Sequence, residues 1–424
     1  MQNFVRLLSP LSRRKELSRM ISRMLIWLSA GLLVLVLWHA DTQAQQGVWE
    51  QHYQAGVAAH QQGNYDEAVK QTKAALEAAK AFGPDDPRLA KTLNGLAVLF
   101  QAQGKYAEAE PLFKRSLAIR EKVLGPEQPP VATGLNNLAA LYVTQGKYTE
   151  AEPLLKRSLA IREKVLGPEH PDVAQSLNNL AFIYRIQAKY AEAEPLYQRA
   201  LAIWKKALGP NHQGVATSLD NLAELYRVRD KYAEAEPLFK RSLAIREKAL
   251  GPEHPEVAKS LNNLAMLYRN QGKYAEAEPL SKRSLVIMEQ ALGPEHPNMA
   301  RSLDNLAELY REQGRYAEAE TLFKRALAIT EKTLGPEHTN MSTYLNNLAL
   351  LYYDQGKYAE AELLFKRSIV ILEQALGPEH PNLAMSLENY AALLRKTGQI
   401  AEAENVEARA KAIRSKRFEE NLAG

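Results

Sequence analysis

The chain has 424 residues, 54 Lys and Arg against 49 Asp and Glu, a formal net charge of +5 and no cysteine. Six of the basic residues and only two of the acidic ones lie within residues 1–44, so the remainder is nearly neutral and lacks the continuous basic footprint that a nucleic acid requires. Without cysteine, disulfides, thiolate metal sites and cysteine nucleophiles are excluded, but an oxidising compartment is not, because stacked repeats need no covalent staples.

At the N-terminus, Arg6, Arg13, Arg14, Lys15, Arg19 and Arg23 precede an apolar run from Met24 to Trp38. Thr42-Gln43-Ala44 then places small side chains at the minus-three and minus-one positions of a cleavage site. Charged, then apolar, then small is the pattern of a secretory signal. A fifteen-residue helix spans only about 22 Å, short of the ~30 Å hydrocarbon core. Residues 1–44 are therefore expected to be an export signal cleaved after Ala44. The alternative is an uncleaved anchor in the inner membrane through residues 24–38. In either case the basic flank stays in the cytoplasm and the body lies outside it, periplasmic or secreted.

Residues 45–424 form one repeating region. Tyr65, Tyr106, Tyr148, Tyr190, Tyr232, Tyr274, Tyr316 and Tyr358 mark its period, 41 residues for the first step and 42 thereafter, with Ile400 in the ninth register. Nine units of this length fill the region and leave no room for a separate catalytic domain. In the unit starting at Pro171, Val173, Leu177, Leu180, Ala181 and Tyr184 recur at three- and four-residue steps, which predicts an amphipathic helix. Pro171 suits the first turn of that helix, where its missing N–H loses no partner. A turn follows at Gln187-Ala188-Lys189, which reads Gln-Gly-Lys in most sister units. A second helix runs from Tyr190 through Leu196, Ala200 and Ile203 to Leu208-Gly209-Pro210, where glycine is expected to supply a left-handed cap. Small residues such as Ala181 and Ala193 recur where the two helices must approach closely.

Leu138-Ala139 with Tyr142, Gly146, Tyr148, Ala151, Leu155 and Ser158 resembles the tetratricopeptide consensus. The 42-residue period and the linking Leu-Gly-Pro-Glu-His-Pro are similar to the repeat domain of kinesin light chains. The resemblance implies an all-α fold, a right-handed α-solenoid of nine helix-turn-helix repeats, the last one capping. No heptad coiled coil precedes the repeats, so a motor-subunit role is not implied.

The resemblance also implies a concave groove lined by the first helix of each unit. Asn137, Asn179, Asn221, Asn263, Asn305, Asn347 and Asn389 match the position that holds peptide backbone in that family, with Gly95 breaking the row. A carboxamide offers a donor and an acceptor to an extended peptide without demanding a sequence. Six residues further on stand Arg185, Arg227, Arg269 and Arg311, suited to carboxylates on a partner. Glu224 and Glu308 lie three residues before two of them and are expected to neutralise Arg227 and Arg311. Asp220 and Asp304 add negative charge in the same two units, while Phe182 and Met266 add apolar spots.

His170, His212, His254, His296, His338 and His380 repeat at 42 in the linkers. Neighbouring helices stand 8–10 Å apart, too far for equivalent linkers to share a zinc ion with ~2 Å bonds. The histidines are instead expected to cap the helices that follow, and no metal or cofactor is expected. The Lys-Arg pairs from Lys114-Arg115 to Lys366-Arg367 each have a glutamate four residues before the lysine, as in Glu110–Lys114 and Glu236–Lys240, which reads as a solvated helix face and not a nucleic-acid patch. No phosphate loop, nucleophile elbow or metalloprotease motif occurs. The chain reads as a non-catalytic scaffold outside the cytoplasm that binds an extended segment of a partner protein. The alternative is a self-associating structural array of the cell envelope.

Overall fold

The computed structural model describes residues 43–423, with side chains through Lys416, and the single positions Met20 and Met24. The expected signal or anchor thus lies almost wholly outside the described residues, of which Gln43 and Ala44 already belong to the first helix. The described residues form 18 helices and no strand. In chain order they are α1 (43–61), α2 (Tyr65–Lys80), α3 (Pro87–Ala102), α4 (Tyr106–Leu124), α5 (Pro129–Thr144), α6 (Tyr148–Leu166), α7 (Pro171–Ile186), α8 (Tyr190–Leu208) and α9 (Gln213–Arg227). Then follow α10 (Tyr232–Leu250), α11 (Pro255–Asn270), α12 (Tyr274–Leu292), α13 (Pro297–Glu312), α14 (Tyr316–Leu334), α15 (Thr339–Asp354), α16 (Tyr358–Leu376), α17 (Pro381–Lys396) and α18 (Ile400–Ala423). Each odd-numbered helix pairs with the even-numbered one after it, giving nine repeats in a tetratricopeptide-type solenoid. Odd helices of successive repeats also touch one another, which puts them on the inside of the curve.

The repeat is set by its two ends. His170, His212, His254, His296, His338 and His380 each accept through Nδ1 from the backbone N–H two residues on, every time at 3.1 Å. This satisfies one of the donors that a helix start leaves unpaired. Asp86 does the same at the start of α3, accepting from Arg88 N at 2.8 Å. At the other end of an odd helix, the N–H of Lys147 reaches Tyr142 O at 2.8 Å and that of Gly146 reaches Val143 O at 3.0 Å, a closure that requires the intervening residue at positive φ. Glycine fills this place in most repeats, but Ala188 (φ 58°) and Asp230 (φ 57°) also adopt it.

The glycines after the even helices differ from expectation. Gly125, Gly167, Gly209, Gly251, Gly293, Gly335 and Gly377 have φ of 86–93° and ψ of 155–164°. That is an extended conformation essentially reserved for glycine, not the left-handed helical cap. It turns the chain sharply from the even helix toward the next proline and histidine.

Packing within a repeat depends on small residues and one large one. Ala181 and Ala193 are fully buried in a single cluster, which allows the close approach expected of them. Phe113, Phe239, Phe323 and Phe365 fill the equivalent space on the even helices, each contributing about 1.5–3 kcal/mol by burial. Ser116, Ser158, Ser242, Ser284 and Ser368 donate from even helices to carbonyls of their odd partners at 2.6–3.0 Å. Between repeats, Tyr142, Tyr184, Tyr226, Tyr268, Tyr310 and Tyr352 each donate to a glutamate of the preceding even helix at 2.8–3.3 Å. All of these glutamates but Glu194, which meets Gln198, also meet the lysine four residues on, as in Glu110–Lys114 at 2.6 Å and Glu236–Lys240 at 2.6 Å.

The curvature brings distant repeats together. Tyr106 Oη lies 3.2 Å from Thr339 Oγ1, and the Nε2 atoms of His338 and His380 lie 3.0 and 3.3 Å from the carbonyl oxygens of Ala102 and Thr144. These contacts span 233–236 residues, about five and a half repeats. Repeats 1–3 therefore overlap repeats 7–9, while repeats 4–6 form a single layer.

Substitution of Gly209 by Ala is expected to cost about 3 kcal/mol, because the linker conformation is closed to a Cβ. Gly272→Ala, at a turn whose equivalents already hold Ala188 and Asp230, is expected to cost about 1 kcal/mol. Urea denaturation of the two variants, followed by circular dichroism, measures the difference.

Candidate functional site

The asparagine row lies on the odd helices, and its members are half-buried. What each amide touches is decided by the residue before its counterpart in the preceding repeat. Asn137 donates to Asn94 Oδ1 at 2.8 Å, Asn347 to Asp304 Oδ1 at 3.0 Å and Asn389 to Asn346 Oδ1 at 3.1 Å. In these three the amide is occupied by the solenoid itself.

Asn179, Asn221, Asn263 and Asn305 differ. Asn178 donates to Ser218 Oγ at 3.0 Å and Asn262 to Ser302 Oγ at 3.1 Å. Asp220 is held by the buried Arg246, which also donates to Ser260. These three residues no longer face the next asparagine, which leaves Asn221, Asn263 and Asn305 free, and Asn136 makes no bond to Asn179, so the four central amides have no hydrogen-bond partner among the described residues. They occupy repeats 4 to 7, and the occupied ones lie in repeats 3, 8 and 9.

Asn179 and Phe182 border a cavity of about 470 Å³ with Gln101, Asn136, Ala140, Val143, Thr144 and Leu155. Phe182 is 38% exposed there, and the buried Asn136 Oδ1 has no hydrogen-bond partner among the described residues. An apolar surface beside unpaired carboxamide atoms is what a side chain carried on an extended backbone requires.

All four arginines are engaged within the chain. Arg227 grips Glu224 through two bonds of 2.7 and 2.8 Å, and Arg311 reaches Glu308 at 3.2 Å, as their spacing of three predicts. Arg311 also donates to Asp354 at 2.7 Å. Arg185 and Arg269, which the sequence leaves without a local acid, face Glu224 and Glu312 of the following repeats, both at 3.6 Å. The register continues to Arg395, two repeats beyond Arg311, which binds Glu407 of α18 at 2.5 and 2.6 Å. The 42-residue spacing points to it once the interruption at Tyr353 is stepped over.

Among the described residues, no group of three or more His, Cys, Asp or Glu side chains converges as a metal site, and no helix is long and apolar enough to cross a membrane.

The tetratricopeptide repeat model matches residues 51–122, 130–194, 172–248, 221–285, 256–332, 303–374 and 341–416. The chain belongs to the tetratricopeptide repeat family. Tetratricopeptide arrays are protein–protein interaction scaffolds, and that general role applies here. No match was found among curated proteins. Among solved structures, the array is similar to BtubC (BKLC) from P. vanneervenii, at 27% identity over 54% of this chain and 92% of that one, with a TM-score of 0.46. It is also similar to a kinesin light chain-like array of nearly identical TPR-like repeats from Podosopora anserina, at 33% identity over 49% and 98% of the two chains, with a TM-score of 0.41. A Rap protein complexed with Competence and Sporulation Factor shares the fold at 14% identity, covering 90% of this chain and 99% of that one, with a TM-score of 0.58.

One buried acid of the tetratricopeptide array lacks a cation. The position 26 residues after Asp220 is Arg246, but after Asp304 it is Thr330. Burial raises the Asp304 carboxyl from 3.8 to about 7, against the bond from Asn347 and the more distant Arg269. The folded state therefore retains a proton that the unfolded chain releases. This contribution to stability is complete below about pH 3.8 and is lost as pH rises through 7. Each tenfold difference in proton affinity is worth about 1.4 kcal/mol. Asp304→Asn is expected to raise stability at pH 8 relative to the parent and to flatten its decline between about pH 4 and 7, as read by thermal unfolding across that range.

Proposed function

We propose that this array is an extracytoplasmic scaffold whose inner wall holds an extended segment of a partner protein. The observation that carries the reading is the run of four unpaired carboxamides, Asn179, Asn221, Asn263 and Asn305, on consecutive inner helices. A polypeptide laid across them gains a donor and an acceptor from each repeat, with no demand on its sequence. Selectivity comes from what flanks the row. The cavity at Phe182 accepts an apolar side chain. Arg185 and Arg269 hold their own acids at 3.6 Å, beyond hydrogen-bond length, so a partner carboxylate competes for them without breaking a formed bond. The favoured segment carries acidic and apolar residues at spaced positions.

The scaffold role is non-catalytic in this reading, and no cofactor takes part. The Rap protein of similar fold is complexed with Competence and Sporulation Factor, and a ligand-holding role of that general kind is what the unpaired wall supports here. The leader read in residues 1–44 supports a place outside the cytoplasm, reached by export.

Crosslinking of the exported protein in its own cells tests the reading. The parent is expected to capture a partner, and the triple variant Asn221→Ala, Asn263→Ala, Asn305→Ala to lose at least about tenfold of that capture, the equivalent of about 1.4 kcal/mol. Equal capture by the two proteins refutes the wall as the binding surface. The mass of the exported chain tests location separately, since removal of the signal leaves Gln45 as its first residue.

A further inference from the structure

The linker histidines are equivalent in sequence but not in surroundings. All six cap the helix that follows through Nδ1. His338 and His380 do a second thing, because the overlap of repeats 1–3 with repeats 7–9 sets each of them against the end of another helix. Nδ1 accepts from a backbone N–H, so the ring proton is on Nε2, and Nε2 faces Ala102 O for His338 and Thr144 O for His380. Ala102 and Thr144 are the last residues of α3 and α5. Each imidazole thus joins the carbonyl end of one inner helix to the amide end of another, α3 to α15 and α5 to α17. Burial favours the neutral ring of His338 that this arrangement needs.

The opposite side of the overlap is fitted to the rings. A Cβ placed on Gly63, Gly104 or Gly146 would stand 2.9, 3.2 and 2.8 Å from Cδ2 of His296, His338 and His380. Gly272, Gly314 and Gly356 share the same turn and the same positive φ, and a Cβ on them would meet nothing within 4 Å. At the turns of repeats 4 and 5, which have no overlapping repeat, the residues are Ala188 and Asp230.

We infer that the array is a closed tube, its successive turns latched to each other by His338 and His380 across a seam packed tightly against the glycines of the facing turns. The inner helices of the two turns then run end to end, with opposite ends of their dipoles adjoining, which favours closure. With the seam shut, the inner wall is reached along the tube axis and not sideways through the overlap. This consequence for access rests on the groove reading above. The latch itself does not, and the experiment below reads the latch alone.

The chain has no cysteine, so Lys105→Cys and Glu337→Cys, exposed positions on the two sides of the seam, give a unique pair of spin labels in the full chain. Aspartate keeps the capping role, as Asp86 does for α3, but has no proton to donate and turns a carboxylate toward a carbonyl. His338→Asp with His380→Asp therefore breaks the seam while sparing the caps. His212→Asp with His254→Asp makes the same exchange away from the overlap. Electron–electron distance measurement is expected to give one short, narrow distribution for the parent and for the His212/His254 pair. A longer and broader one is expected for the His338/His380 pair, at unchanged helicity. Gly104→Asn with Gly146→Asn should open the seam in the same way, and Gly272→Asn with Gly314→Asn should not. The inference is overturned by a long, broad distribution in the parent, by an unchanged one in the His338/His380 variant, or by equal broadening in both histidine pairs.

Discussion

Everything in this molecule depends on the linker between repeats. Seven glycines in one glycine-only conformation, each followed by proline and in most linkers by a capping residue, give the chain the same change of direction again and again. A rotation that is constant from repeat to repeat yields uniform curvature, and over nine repeats that curvature brings repeats 7–9 against repeats 1–3. The overlap at 233–236 residues is the sum of those identical steps. A single irregular linker would displace every repeat after it.

Against that regular frame, the differences between repeats decide which inner side chains are left unpaired. The inner asparagines occupy one register, yet their amides are in two states. Where the preceding residue faces along the wall, as Asp304, Asn94 and Asn346 do, it consumes the next amide. Where Ser218, Ser302 or Arg246 draws that residue away, the amide is released. The released amides fall in repeats 4 to 7 and the consumed ones in the overlap, so the overlapping repeats and those with unpaired amides are largely separate. The arginines follow a related logic. Each is paired within the chain, two through short bonds and two through contacts of 3.6 Å, so the wall carries charge in graded readiness and not as bare cations.

Much of this was legible in the sequence, because it is local. The period, the helix limits, the Glu110–Lys114 type of pair and the histidine caps depend on residues within a few positions of one another, and the repeat shows each of them several times. The rest depends on distance along the chain. Arg185 finds Glu224 in the next repeat, and Asn178 finds Ser218 forty residues on. Neither follows from helical periodicity, since both depend on how one repeat is rotated against another. The linker glycines were legible as breaks but not in their conformation, because glycine allows two kinds of positive φ and the left-handed cap is the commoner at a helix end. The meeting of His338 with Ala102 lies furthest from the sequence, since it is a property of six accumulated rotations.

The central claim is that the inner wall of the solenoid, and not its outer surface, holds the partner. The measurement that tests it most directly is a structure of the protein with its captured partner in place. The account predicts a single extended segment running across α7, α9, α11 and α13, its backbone bonded to the amides of Asn179, Asn221, Asn263 and Asn305. A partner seated on the even-numbered helices, with the inner wall empty or filled by the chain's own residues, would contradict it.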